Sequence, residues 1–197
     1  FSRILGVSLS VVMLTSMLVT AAPALANVTS AAVTVSPTTI SQNASYNIQF
    51  TTGASLVTGG NVTIAFPYDT NIQDGDISAY VTLAGGNGFV GTNFVAANFT
   101  GAKVTGNAST RKIVVSLNES YHQIGQSAQM LVVVGTGAIK NPSNAGSYSL
   151  NVSTSNETTV VGSSTYTITL PVIGPLPGII TGKNSAGQIL YQTISSD

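Results

Sequence analysis

The chain has 197 residues, six of them Lys or Arg and six Asp or Glu, so charged residues make up 6% against about a quarter in an ordinary soluble protein. A neutral chain this poor in cations has no clustered positive charge to set against phosphate, which excludes nucleic acid as a partner and leaves no polybasic patch for anionic lipid. Net charge near zero favours association instead, so the surface is expected either to be covered by sugar or to assemble.

Residues 1–26 place Arg3 in a short leading segment, then an apolar run from Ile4 to about Val19, then small residues ending Ala24-Leu25-Ala26. That is the pattern of a secretory signal peptide, with cleavage expected after Ala26 and Asn27 as the mature N-terminus. Two alternatives stay open. A permanent transmembrane anchor would be short and has no basic stop-transfer cluster behind it. A retained hydrophobic helix would make the chain similar to a type IV pilin-like subunit, which Phe1 and Pro23 suit, whereas Arg3 and Leu5 (where such pilins usually carry a glutamate) do not. Membrane contact is expected only through residues 1–26, if they are not cleaved. The chain has no cysteine, so an exported form must draw its stability from an apolar core.

Beyond Asn27 the apolar residues alternate. AAVTVS (31–36) opens the series. Tyr46, Ile48 and Phe50 then share one face, followed by Val62, Ile64 and Phe66. Ile113, Val115 and Leu117 repeat the pattern, as do Met130, Val132 and Val134, then Tyr148, Leu150 and Val152, then Tyr166, Ile168 and Leu170. A period of two in β-branched and aromatic company predicts half-buried strands. Two or three shorter strands are expected between Ile77 and Val104. Turn signals at Ser36-Pro37, Gly59-Gly60, Asp74-Gly75, Gly85-Gly86, Asn141-Pro142 and Ala145-Gly146 separate the runs. No amphipathic helix is evident after residue 27. The pattern predicts an all-β chain, an antiparallel β-sandwich of immunoglobulin-like type within residues 27–171.

Residues 171–178, PVIGPLPG, carry three prolines and two glycines and read as a semi-rigid linker, assigned to 172–178. Residues 179–197 read as a hairpin, or the start of a further module, turning at Lys183-Asn184-Ser185-Ala186-Gly187. A lone hairpin is marginal in water, so it is expected to dock, pair with another subunit or lead into more chain.

Three stretches, VTVSPTTISQNASYNIQFTTG (33–53), NVTIAFPYDTNI (61–72) and GAIKNPSNAGSYSLNVSTSNETTVVGSSTYTI (137–168), resemble the β-sandwich module of prokaryotic surface-layer-like and other cell-surface proteins. The resemblance spans most of residues 31–170 and rests on phrase and pattern, not on a catalytic signature. It implies Sec export to the extracellular face of the cell envelope, with modules in tandem or ahead of a longer extracellular region. Members of that group are often much longer, so this chain is expected to be a fragment or a short member.

Sites of chemistry are few. The single histidine, His122, stands near Glu119 in an expected loop, and a loop residue is the reading preferred over a Ser/His/Asp triad. Asp69, Asp74 and Asp76, with Asn71, offer oxygens to a hard cation such as Ca²⁺, but their spacing is not that of an EF-hand and a solvated loop is preferred. No catalytic residue, metal site or cofactor is expected, and the protein is read as non-enzymatic. N-x-S/T occurs at Asn27, Asn43, Asn61, Asn98, Asn107, Asn118, Asn151 and Asn156, each a possible N-glycan acceptor. Seven Tyr, six Phe and no Trp leave little for a sugar-stacking platform, since most rings alternate into core faces.

The function expected from these features is that of an exported structural protein, a surface-layer or filament subunit. It would self-associate, or join other cell-surface modules, through strand edges that lack protective charge, with the tail lying against a neighbour's edge. An adhesin or carbohydrate-binding module is the alternative, favoured if Tyr68, Tyr80 and Phe89 are exposed together.

Overall fold

The computed structural model describes residues 27–85, 102–118, 124–172 and 179–193. Residues 1–26 lie outside this set, and with them the signal peptide and the retained helix of the pilin-like alternative. Phe89, Asn98, Glu119 and His122 lie outside it too. Among the described residues no helix is long and apolar enough to cross a membrane, and the one helical element is a 3-10 turn at Ser78–Tyr80.

The period-two runs become paired strands. In chain order they are β1 (Thr29–Ser36), β2 (Ser45–Thr51), β3 (Asn61–Ala65), β4 (Asn71–Ile72), β5 (Gly75–Asp76), β6 (Val81–Gly85), β7 (Lys103–Asn107) and β8 (Lys112–Ser116). Then follow β9 (Gln129–Val134), β10 (Ile139–Lys140), β11 (Gly146–Tyr148), β12 (Asn151–Thr154), β13 (Val161–Gly162), β14 (Tyr166–Ile168), β15 (Ile179–Lys183) and β16 (Ile189–Thr193). One sheet runs β1-β2-β9-β6 and a second runs β13-β12-β3-β8-β7-β5, with β10-β4, β11-β14 and β15-β16 as separate pairs. The chain is all-β, and the described pairings between these strands are antiparallel.

Register explains why both large sheets feed one core. Ile48 faces Val132 in the first sheet and Ile64 faces Ile113 in the second; all four are at most 1% exposed and belong to one continuous apolar cluster. A one-residue slip in either ladder would turn such a set to solvent, so the alternation fixes the pairing. Within this core Tyr46 is fully buried, its ring edge-on to Phe66 and Tyr166 at 5.4 and 5.8 Å. Its hydroxyl donates to Asn141 Oδ1 at 2.7 Å. The Asn141 amide in turn donates to the Pro37 and Thr39 carbonyls, both at 2.8 Å, so one buried side chain ties β2 to the loop after β1.

Two expectations fail. Residues 147–153 are not one strand: β11 pairs with β14 while β12 pairs with β3. Between them Leu150 leaves any ladder, its N–H bonding the Ser163 hydroxyl and its carbonyl the Ser163 N–H. Leu150 is still fully buried, so the alternation of side chains persists through a change of sheet. Leu170, expected to point inward, is 64% exposed, because β14 ends at Ile168 and Thr169 bonds instead with Thr38 and Ile40.

Candidate functional site

The two sheets end in two sets of loops. One set gathers the β3–β4 loop, the β7–β8 turn and residues 141–144. Pro67 follows β3 and has no N–H to extend the ladder, and the chain turns there, with the Thr70 N–H reaching the Pro67 carbonyl at 3.3 Å. Asp69 sits in this turn at φ 69°, a left-handed conformation Asp tolerates better than most residues. The turn sends Thr70 inward, 3% exposed, and Tyr68 outward, 81% exposed.

The β7–β8 turn lies alongside. Asn107 Oδ1 accepts from the Ser109 hydroxyl and the Thr110 N–H, both at 2.8 Å, an Asx arrangement that closes the hairpin. Arg111 then takes φ 53° and its carbonyl accepts the Phe66 N–H at 2.8 Å. That one backbone bond sets the two loops side by side, and the Arg111 guanidinium lies 5.5 Å from the centre of the Tyr68 ring. Such a contact contributes about 0.5–1 kcal/mol at an exposed site.

Tyr68, Asp69, Thr70, Asn71, Ala108 and Arg111 line a shallow, open recess of about 250 Å³. Two polar atoms of these lining residues, Thr70 Oγ1 and Arg111 Nε, are buried out of reach of solvent and without a hydrogen-bond partner. Asp69 is committed elsewhere: Oδ2 accepts from the Ser143 N–H at 3.0 Å, from the Ser143 hydroxyl and from the Asn144 amide at 3.3 Å. The Ser143 hydroxyl, then its N–H, hold the Asp69 carboxyl below the usual carboxylate range. Asp74 braces the turn, accepting the Ala108 N–H at 2.6 Å.

The three aspartates considered for Ca²⁺ thus serve three different segments, since Asp76 accepts from the Ser78 N–H at 2.9 Å. Among the described residues no three His, Cys, Asp or Glu side chains gather as a metal centre would require. Of the glycan acceptors, Asn43, Asn107, Asn118, Asn151 and Asn156 are exposed, and Asn27 and Asn61 are half-buried. The Asn156 amide donates to the Ser55 carbonyl at 2.8 Å. Of the loop aromatics whose joint exposure would favour a binding module, Tyr68 is 81% and Tyr80 41% exposed, and Phe89 lies outside the described residues. The Pro67-Tyr68-Asp69 turn was the available signal, because a ring inside a turn is outside the alternation that buries the others.

No protein-family model and no curated protein sequence matches this chain. Among solved structures it is similar to BslA, described as a bacterial hydrophobin, with 11% identity and a TM-score of 0.44 over 76% of this chain and 98% of that one. It is similar to the N-terminal domain of the Streptococcus gordonii adhesin Sgo0707, with 9% identity and a TM-score of 0.42 over 72% of this chain and 32% of that one. A family GH18 chitinase from Chromobacterium violaceum matches with 15% identity and a TM-score of 0.30, over 76% of this chain and 19% of the enzyme. Likeness at these scores carries no argument about activity.

Proposed function

We propose that this is an exported, non-enzymatic cell-surface protein on a two-layer β-sandwich, and that its work is recognition of a saccharide at the Tyr68 recess. The observation that carries this reading is the Tyr68 ring, 81% exposed yet fixed by the Pro67 turn and by Arg111. A large ring left in water forgoes about 1.5–3 kcal/mol of burial, and a rigid ring beside hydrogen-bonding groups suits the C–H face of a sugar. Arg111 and the exposed Asn71 offer donors and acceptors to ring hydroxyls. At about 250 Å³ the recess is below the range of about 300–1,000 Å³ for drug-sized ligands, which suits one sugar ring of a longer chain. Arg111 and Asp69 cancel in charge, which favours a neutral sugar.

A second reading, a surface-layer or filament subunit assembling edge to edge, draws support from β6. Its outer edge meets no strand among the described residues and its sequence, VTLAG, carries none of the charge that guards such edges. The β1 edge is less available: the Val33 N–H bonds the Ser164 hydroxyl at 3.3 Å and the Ala31 carbonyl accepts the Ser164 N–H at 3.0 Å.

One experiment separates the readings. The purified protein is screened on a panel of neutral glycans and imaged by electron microscopy, alongside Tyr68→Ala and Thr82→Lys. Recognition predicts glycan binding that weakens at least about tenfold in Tyr68→Ala while the melting temperature stays put. Polymers abolished by Thr82→Lys, with no glycan bound by the wild type, would overturn recognition in favour of assembly.

A further inference from the structure

The opposite set of loops holds a buried acid that has no cationic partner among the described residues. Glu157, in the loop after β12, is 2% exposed. Its Oε1 accepts the Gly53 N–H at 2.7 Å and its Oε2 the Thr154 hydroxyl at 3.1 Å, and among the described residues these neutral donors are its side-chain partners. A charge in such a position is costly unless something of opposite sign compensates it.

The compensating group is in reach along the main chain. A Cβ placed on Gly53 would stand 2.5 Å from Glu157 Oε1 and 2.6 Å from the backbone nitrogen of Asn27. Two atoms that close to one point are no more than about 5 Å apart, within range of a strong charge interaction. Gly53 is what lets them approach, since any side chain there would occupy the gap. Val28, the next residue, is 1% exposed and anchors this nitrogen against the core, and Asn27 Oδ1 is buried without a hydrogen-bond partner. As a peptide nitrogen, Asn27 N carries no charge. The bond before it is the one that follows Ala24-Leu25-Ala26.

We infer that Glu157 is the receptor for the α-ammonium of Asn27, so that removal of residues 1–26 by an export endopeptidase completes a buried ion pair and locks this end of the fold. The step is a hydrolysis. Water adds its hydroxyl to the Ala26 carbonyl carbon, the C–N bond breaks with its electron pair on nitrogen, and a proton follows to that nitrogen. At neutral pH the products are the Ala26 carboxylate and the Asn27 ammonium, which is protonated below about pH 8 even when free. The mature N-terminus thereby becomes a cation in a chain with few others. This inference is independent of the recess at Tyr68.

The test uses the full chain, exported by a host through its own leading segment, and a version with Gly-Ser inserted between Ala26 and Asn27. Each is made with Glu157 and with Glu157→Gln, and intact mass reports the N-terminus of each product. The expected result is a wild-type product beginning at Asn27 that melts about 5 °C above the inserted form, with the gap gone in the Glu157→Gln pair. Should Glu157→Gln not fold, reactivity of the α-amine toward acetic anhydride replaces it: the amine at Asn27 should react at least about tenfold more slowly than the amine of the inserted form. A product retaining Phe1, equal melting temperatures, a gap that survives Glu157→Gln, or equal amine reactivity overturns the inference.

Discussion

Tyr46 and Tyr68 are the same residue in opposite circumstances. Tyr46 lies on β2, fully buried, with a ring on two sides and its hydroxyl given to Asn141. Tyr68 lies in a turn, 81% exposed, with a guanidinium against its ring. Around the first, the Asn141 amide finds two carbonyls and its oxygen a phenol, while the Tyr166 hydroxyl is left over. Around the second, Thr70 Oγ1 and Arg111 Nε are left over. The two regions differ in exposure, not in unspent hydrogen bonds: the closed ring serves stability, and the open one is where a ligand would stack.

The widest separation between these regions is expected in stability. Tyr46→Ala should lower the free energy of unfolding by about 3–5 kcal/mol, the usual cost of emptying a large aromatic site, whereas Tyr68→Ala should change it by about 0.5 kcal/mol or less. Denaturant titration of both variants measures the contrast. Tyr46→Phe refines it. Losing only the hydroxyl strands Asn141 Oδ1 and should cost about 1–3 kcal/mol. Tyr166→Phe should cost nothing or stabilise, because the buried Tyr166 hydroxyl has no partner to lose. Equal costs for the two Phe variants would mean that the Tyr46–Asn141 bond adds nothing to the fold.

Alkali should weaken the buried region next. Burial pushes the Tyr46 phenol well above its usual range, and burial likewise pushes Tyr166 up to about 12. In the unfolded chain both titrate near pH 10. Between about pH 10 and 12 the unfolded chain releases protons that the folded chain retains, so stability is intact below pH 10 and falls as pH rises. The expected slope is on the order of 1 kcal/mol per pH unit for each tyrosine. Melting temperatures from pH 8 to 11 check it, and Tyr166→Phe should flatten the decline. Asp69 works in the other direction: its lowered carboxyl contributes stability above the ordinary carboxylate range that disappears in stronger acid.

How much of this was legible in the sequence follows from where the information sits. The faces of β2, β3, β8 and β9 are local facts, since period-two alternation in one segment decides which side chains turn inward. Tyr46, Ile64, Ile113 and Val132 could therefore be placed by reading alone. The switch of sheet at Leu150 depends on Ser163, thirteen residues away, and the alternation reads through it unbroken. The recess is less legible still, because it exists only where the Phe66 N–H meets the Arg111 carbonyl. Glu157 reads as a loop acid inside a glycosylation signal, and only Gly53, 104 residues earlier, makes it a buried one.

Arg111 offers the finest test of the contrast between the two regions. It closes the β7–β8 turn at φ 53°, a left-handed position where glycine is at ease and a side chain costs about 1–2 kcal/mol. A turn selected for stability alone would carry glycine or asparagine there, as the buried region carries side chains suited to their places. Ser30, Ser41 and Ser127 take the same left-handed conformation away from the recess, so what ties Arg111 to recognition is its place against the Tyr68 ring. Arg111→Gly should therefore raise stability by about 0.5–1 kcal/mol, the relief of strain less the extra freedom glycine gives the unfolded chain, while glycan binding falls. Greater stability together with unchanged binding would leave the strained arginine without a role in recognition, and the case for the recess would then rest on Tyr68 alone.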